Sequence, residues 1–338
     1  MKQTDRQNIP STTGGLTHSG LPFGRLSRKS VTALGWLAIV LAEVCFYIST
    51  IYIRWAKAEV SIDPGFFVFA RFLLGFLVVC GLLLIERRDL KPRRYDLLVG
   101  RAVFNSISVF CFFKAVSVTS LAEGNILNMT YPVFLAVISW FVLKEQRDRV
   151  AVLMVAVAII GIWMILAPEQ MSPNIHNFWG LGSGVTASLA VLYLNMSRRH
   201  HDTETILFYM FGLGSMIMFG VFHDRIFWPN PAEFYYLFWC AAFGVGGQYL
   251  LTMGYRYVTA VEGSILSSSR ILMAAVFGPW IALDPPLTAA GWVGAGLILT
   301  ANVVLAVRRS HNKLNKTNRY AIHRRKTQPA SFISEEVK

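Results

Sequence analysis

A chain of 338 residues has room for two soluble domains, but hydrophobic residues make up 54% of this one and charged residues only 15%, against about 25% charged in soluble domains. Mean hydropathy is +0.47, yet 32 Lys and Arg stand against 19 Asp and Glu, a formal charge of +13. These values exclude intrinsic disorder, a fibrous repeat and an ordinary soluble enzyme. They leave a membrane protein whose basic parts lie outside the bilayer.

Residues 1–32 form a polar, basic N-terminal tail carrying Lys2, Arg6, Arg25, Arg28 and Lys29 against Asp5. Apolar runs long enough to cross a hydrocarbon core of about 30 Å then follow. They predict ten transmembrane helices at roughly 33–53, 66–85, 96–118, 121–143, 150–167, 178–197, 205–222, 234–254, 262–282 and 287–307. The first run is too long for the apolar region of a signal peptide. Short connectors such as Asp63-Pro64-Gly65, Pro229-Asn230-Pro231 and Asp284-Pro285-Pro286 carry turn chemistry. Residues 308–338 form a second basic tail, with nine Lys and Arg against Glu335 and Glu336. The tails lack the interleaved aromatics of a nucleic-acid surface, so anionic membrane lipid is the expected neighbour and no nucleic acid is expected.

Loop charges set the orientation. With the N-terminus inside, the inner loops 86–95, 144–149, 198–204 and 255–260 hold eleven Lys and Arg, whereas the outer loops hold only Arg54, Lys57 and Arg225. Both termini are therefore expected on the cytoplasmic side of an integral multi-pass protein. Cys45, Cys80, Cys111 and Cys240 all fall inside apolar runs, without metal-ligand spacing. His200-His201 reads as a solvated loop, so no metal and no cofactor are expected.

An internal repeat organises the runs. Glu123-Gly124-Asn125-Ile126-Leu127-Asn128 superposes on Glu262-Gly263-Ser264-Ile265-Leu266-Ser267 at an offset of 139 residues, and the same offset carries Phe141–Glu145 onto Trp280–Asp284. Two five-helix halves follow, at 33–167 and 178–307. Because five is odd, the second half enters the membrane from the opposite side. The expected fold is an all-α polytopic membrane protein of ten transmembrane helices in two inverted five-helix repeats, an architecture of secondary transporters with a midplane site between the halves.

The chain resembles the drug/metabolite transporter superfamily in its EamA-like branch of ten-helix carriers. The residues carrying the resemblance are Ala70-Arg71-Phe72, Phe113-Lys114-Ala115-Val116, Thr119–Gly124, Tyr131-Pro132-Val133-Phe134 and Leu143-Lys144-Glu145. A second copy runs from Gly254-Tyr255-Arg256 to Asp284. Asp284-Pro285-Pro286 departs from the usual Gly-Glu ending of the repeat. Arg101-Ala102-Val103-Phe104 is similar to a sub-branch of proposed S-adenosylmethionine and related metabolite carriers. The resemblance implies secondary transport of a small-molecule solute, usually export.

Four basic residues lie within spans: Arg71, Arg101, Lys114 and Arg270. A charge near the bilayer centre costs at least about 2.5–3.5 kcal/mol and needs a partner or a wet cavity. Arg270 falls about 3 Å from the middle of its span, at about 1.5 Å per residue, and Glu43 is the one deep acid. Helical spacing places Glu43 on a stripe with Trp36, Val40, Tyr47 and Thr50, as a ligand for an ammonium group or a coupling proton, or as a structural carboxylate paired with Arg71 or Arg270. Ser264, Ser267 and Arg270 map through the repeat onto Asn125, Asn128 and Tyr131, so each half turns a polar stripe toward a shared cavity or toward helix packing. Arg101, Asn105 and Ser108 form a third stripe.

The expected substrate-binding residues are Glu43, Arg270, Asn128, Ser267, Asn105, Arg71, Tyr47 and Tyr131. Lys114 with Glu123, and Arg256 with Glu262, are expected to form hairpin ion pairs or gates. The substrate is expected to be a small polar or zwitterionic metabolite, such as an amino acid, moved with a proton or counter-solute as coupling partner; a homodimer is compatible with this reading. A membrane enzyme would need catalytic His or Asp clusters that the spans lack. A receptor or assembly factor is the other alternative.

Overall fold

The structure, a computed structural model, describes residues 28–87, 89–142, 149–166, 175–254, 257–258, 263 and 266–327. Among these there are eleven α-helices and no strand. They are α1 (Arg28–Glu59), α2 (Pro64–Glu86), α3 (Tyr95–Val118), α4 (Leu121–Asn128), α5 (Tyr131–Val142), α6 (Arg149–Leu166), α7 (Asn177–Ser197), α8 (Thr203–Phe222), α9 (Pro231–Gly254), α10 (Ser269–Ile281) and α11 (Ala289–Thr327). Seven helical stretches are long and apolar enough to cross a membrane. α7 and α9 have similar length with more Gly, Ser and aromatic residues, and α10 is the part of the ninth span beyond a break. Leu77, Leu84, Phe141, Ile159, Trp163 and Met216 point outward as a lipid-facing surface, while polar side chains turn inward, as a bilayer requires. The chain is an all-α polytopic membrane protein.

Local chemistry defines the ends. Asp63 caps α2 by accepting a hydrogen bond from the Gly65 amide at 2.8 Å, with Pro64 in the first turn. Pro there gives up a donor that would have no partner. α2 stops at Arg87, which is left-handed at φ 48°. Ser120 and Glu123 close a reciprocal capping box at the start of α4. α1 and α11 outrun the predicted spans, and α11 continues past residue 307 to Thr327.

The fourth span, expected as one helix over 121–143, is broken between Asn128 and Tyr131. Pro132 has no N–H for the Asn128 carbonyl. Around the break, Thr130 Oγ1 donates to the Leu127 carbonyl at 2.6 Å, and Asn302 Nδ2 donates to the Met129 carbonyl at 2.8 Å. Side chains thus satisfy backbone groups that hydrocarbon would leave stranded. The ninth span breaks at the equivalent place: Ser268 is a turn residue and α10 begins at Ser269.

Helix packing obeys a two-fold exchange of the halves. α3 packs on α7 as α9 packs on α1, and α2 packs on α9 as α8 packs on α3. The pairs α2–α8, α4–α10 and α6–α11 map onto themselves. With an odd number of spans per half, this exchange is the inverted repeat. The α6–α11 contact is the tightest in backbone terms. A Cβ on Gly161 would lie 2.8 Å from the Gly294 carbonyl oxygen, and one on Gly294 would lie 2.7 Å from that of Gly161. Only glycine allows this approach.

Candidate functional site

α1 brings Glu43 and α10 brings Arg270 to the interior, where Glu43, Arg71 and Arg270 are 2%, 7% and 6% exposed. Arg270 Nε lies 3.5 Å from Glu43 Oε2. Neither atom has a hydrogen-bond partner among the described residues. This is an ion pair held at a loose distance. Arg270 Nη2 reaches the other half of the protein, donating to Asn128 Oδ1 at 2.9 Å. Ser267 lies beside the Glu43 carboxylate, and Asn128 Nδ2 donates to Ser183 Oγ at 3.0 Å. The repeat relates these contacts: α1 meets the ninth span through Glu43 and Ser267, and α7 meets the fourth through Ser183 and Asn128. Arg270 spans both at the helix breaks.

Aromatic faces complete the cluster. The Phe46 ring lies between two guanidiniums, with Arg71 Cζ 5.4 Å and Arg270 Cζ 5.6 Å from its centroid. Phe113 stands 5.7 Å from Arg71 Cζ, and Phe112 stands 5.4 Å from Arg270 Cζ. Cation–π attraction of this kind partly replaces lost hydration. Tyr131 begins α5 close enough to Arg270 to interact with it electrostatically. Tyr47 is buried, and its hydroxyl has no hydrogen-bond partner among the described residues. Beside it, Thr50 Oγ1 donates to the Tyr47 carbonyl at 2.6 Å.

Thus Glu43, Arg71, Asn128, Tyr131, Ser267 and Arg270 come together as one polar centre. Asn105 does not join it: it is half-buried on α3, one turn from Arg101, with no hydrogen bond to the centre among the described residues. Arg101 belongs to a separate small cavity at the end of the bundle that carries the 198–204 loop, shared with Arg198, Thr203, Gln248 and Thr252. A larger cavity of about 270 Å³ opens at the opposite end, between Ile53, Lys57, Phe67 and Ser117. Neither cavity is lined by Glu43 or Arg270. Trp36, placed by spacing on the Glu43 stripe, is exposed instead, and Ile39 and Phe46 are buried on α1. α1 crosses α9, so its buried face drifts along its length.

The expected Lys114–Glu123 ion pair is not present among the described residues. Glu123 is committed to the Ser120 capping box, and Lys114 is half-buried one hairpin away. Arg256, Glu262 and Ser264 lie outside the described residues. The polar contact at that end of the bundle is a different one. Asp284 Oδ1 accepts from Arg54 Nε at 2.8 Å and also from Arg54 Nη2, while Asp284 Oδ2 accepts from the Leu121 amide at 2.7 Å. Trp55 Nε1 donates to the Ile281 carbonyl at 3.0 Å alongside it. One carboxylate therefore ties the end of α1, the start of α4 and the loop after α10 together.

Sequence reasoning missed Arg54, because loop position alone explained it, and it read Asp284 as a mere departure from a motif. The break at Tyr131-Pro132 was the available signal for the broken fourth span. His201 is not the solvated residue expected either. It is buried, its Nε2 accepts from the Arg93 and Arg94 amides at 3.0 and 3.2 Å, and its Nδ1 faces the Ser197 carbonyl at 3.1 Å. The described residues hold no group of His, Cys, Asp or Glu arranged to bind a metal.

Comparison with known proteins accords with this architecture. The EamA-like transporter family matches the chain twice, over residues 33–167 and 174–307. An uncharacterized transporter of Helicobacter pylori is 25% identical over 291 residues, covering 82% of this chain and 96% of its own. The pseudopaline exporter CntI of Pseudomonas aeruginosa is 26% identical over 277 residues, covering 80% of this chain and 95% of its own. A solved crystal structure at 18% identity shares the fold with a TM-score of 0.52, over 83% of this chain and 98% of the other. With the family matched in both halves, the chain is a membrane transporter belonging to the EamA-like family.

Proposed function

We propose that the protein is a secondary carrier that exports a small polar or zwitterionic metabolite by alternating access around the Glu43–Arg270 centre. The observation that carries this reading is a loose, buried ion pair where the broken helices of both halves converge. A transporter with inverted repeats places its site there, and a pair with unused hydrogen-bonding atoms can exchange its partner for a ligand. Glu43 receives an ammonium group or proton, and Arg270, Asn128 and Ser267 receive acceptors and donors of the same molecule. Tyr47 and Tyr131 border the site.

The Arg54–Asp284–Leu121 contact acts as the outer latch of this cycle. The basic inner loops and tails support a cytoplasmic location for both termini. Export is supported by the Pseudomonas aeruginosa relative, a pseudopaline exporter. The test is metabolite efflux from proteoliposomes loaded with a mixed pool. The wild type is expected to release specific solutes, while Glu43→Gln and Arg270→Ala abolish release. Wild-type flux in both variants would remove the site from this position.

A further inference from the structure

Among the described residues the centre holds two buried guanidiniums and one carboxylate, and only one guanidinium has a counter-charge. Arg270 has Glu43 and Asn128. Arg71 has neither an ion pair nor a hydrogen bond to any of the described residues; its guanidinium rests against the rings of Phe46 and Phe113. Aromatic faces accept charge but not the five directed N–H donors of a guanidinium, which stays protonated in proteins. The fold nevertheless makes room for this group. A Cβ at Gly244 of α9 would lie 2.9 Å from Arg71 Cδ and Nε and 3.1 Å from Cζ. The glycine therefore clears the space that the charged end occupies. Other buried charged groups lie elsewhere: Asp284 holds Arg54, and Arg101 lines a separate cavity.

Resting on the carrier reading above, we propose that Arg71 docks a carboxylate of the transported molecule, so that the carrier selects organic anions with one more carboxylate than ammonium group. Glu43, Arg71 and Arg270 together sum to one positive charge, which such a molecule cancels. Its ammonium group meets Glu43, one carboxylate meets Arg270, and the second takes the Arg71 fork in the two-pronged geometry that guanidinium and carboxylate share. A neutral zwitterion leaves Arg71 unpaired, and a net cation adds to the surplus.

The test is ligand-induced thermal stabilisation of the purified full-length protein with matched probes: L-glutamate against L-glutamine, L-aspartate against L-asparagine, and inorganic phosphate. Glutamate and aspartate are expected to stabilise the wild type where their amides do not. Arg71→Met is expected to lower the apparent affinity for the carboxylates about 10- to 100-fold, the worth of a charge-assisted pair, and to erase the discrimination between acid and amide. Removing an unpartnered buried charge should leave the ligand-free melting temperature of this variant equal to or above wild type, which separates the loss from misfolding. Arg71→Lys keeps the charge without the fork and is expected to fall between. Amides that stabilise as well as acids, or an Arg71→Met protein that still prefers acids, would overturn the proposal. So would stabilisation by phosphate alone. Equal flux of acid and amide in proteoliposomes rejects the anion selectivity and leaves the carrier reading intact. Acid-selective binding without any flux does the reverse.

Discussion

Replacing Asp284 with Asn isolates the outer latch, because the change preserves shape and removes charge. The Asp284 side chain is 3% exposed and accepts from three donors, two of them on Arg54. An amide in its place offers one oxygen and one NH₂. If the oxygen keeps the Leu121 amide, the NH₂ confronts the guanidinium donor to donor; if it keeps Arg54, the start of α4 loses its acceptor. A hydrogen bond to a charged group contributes about 1.5–3 kcal/mol. Arg54 is 21% exposed, so water recovers part of its share. A net loss of about 3 kcal/mol for the closed outer end is reasonable, which shifts the balance of open to closed about 100-fold. The assay is labelling of a cysteine at Thr50, buried beneath the latch, by a membrane-impermeant thiol reagent applied from outside. The four native cysteines are replaced in the background. Asp284→Asn is expected to raise the labelling rate up to about 100-fold. Exchanging the pair as Arg54→Asp with Asp284→Arg restores the ion pair but leaves the Leu121 amide without its acceptor, so recovery should be partial. Unchanged labelling in Asp284→Asn, or full recovery in the exchanged pair, would refute the reasoning.

Two further outcomes are expected. Arg270→Gln strands Glu43 beside Ser267 and should cost about 3–5 kcal/mol, the usual result of breaking a buried pair from one side. Adding Glu43→Gln should return much of it, and strictly additive losses in thermal unfolding would mean the two groups do not interact. His201→Phe removes the acceptor for two backbone amides and should cost about 1–3 kcal/mol for each one left buried without a partner. Limited proteolysis of the 89–94 segment should accelerate accordingly, and wild-type protection there would show that the ring is not the clamp.

Much of the path to the site was legible because hydrocarbon is unforgiving. Unbroken apolar runs had to be helices, and a glutamate at the middle of one had to find a cation. The offset of 139 residues already mapped Arg270 onto Tyr131 and Ser267 onto Asn128, and in the structure Arg270 reaches Asn128 across the two helix breaks. The breaks in the fourth and ninth spans escaped because apolar composition continues across them. Hydropathy does not register a hydrogen bond missing at Pro132 or a turn at Ser268. Glu123 was misjudged as half of an ion pair although Ser120-x-x-Glu123 spells a capping box, and Lys114 was its nearest cation only along the chain. Arg54 and Asp284 were out of reach for a different reason. They are separated by 230 residues, and each had a sufficient local explanation, Arg54 as a loop charge and Asp284 as part of a turn.

The glycine crossing of α6 and α11 has a mechanical meaning. With carbonyl oxygens under 3 Å from where side chains would begin, these two helices have nothing between them to compress, and neither has room to slide. In the proposed alternating-access cycle the point of touch is expected to act as a fulcrum for the other spans, because the pair maps onto itself when the halves exchange. A short thiol cross-link between α6 and α11 at this level should leave flux intact, whereas one joining α1 to α9 should arrest it; arrest by the first would show that these helices must part. On that proposal the carrier needs no flexible linker between its halves, since they turn about a backbone-to-backbone contact.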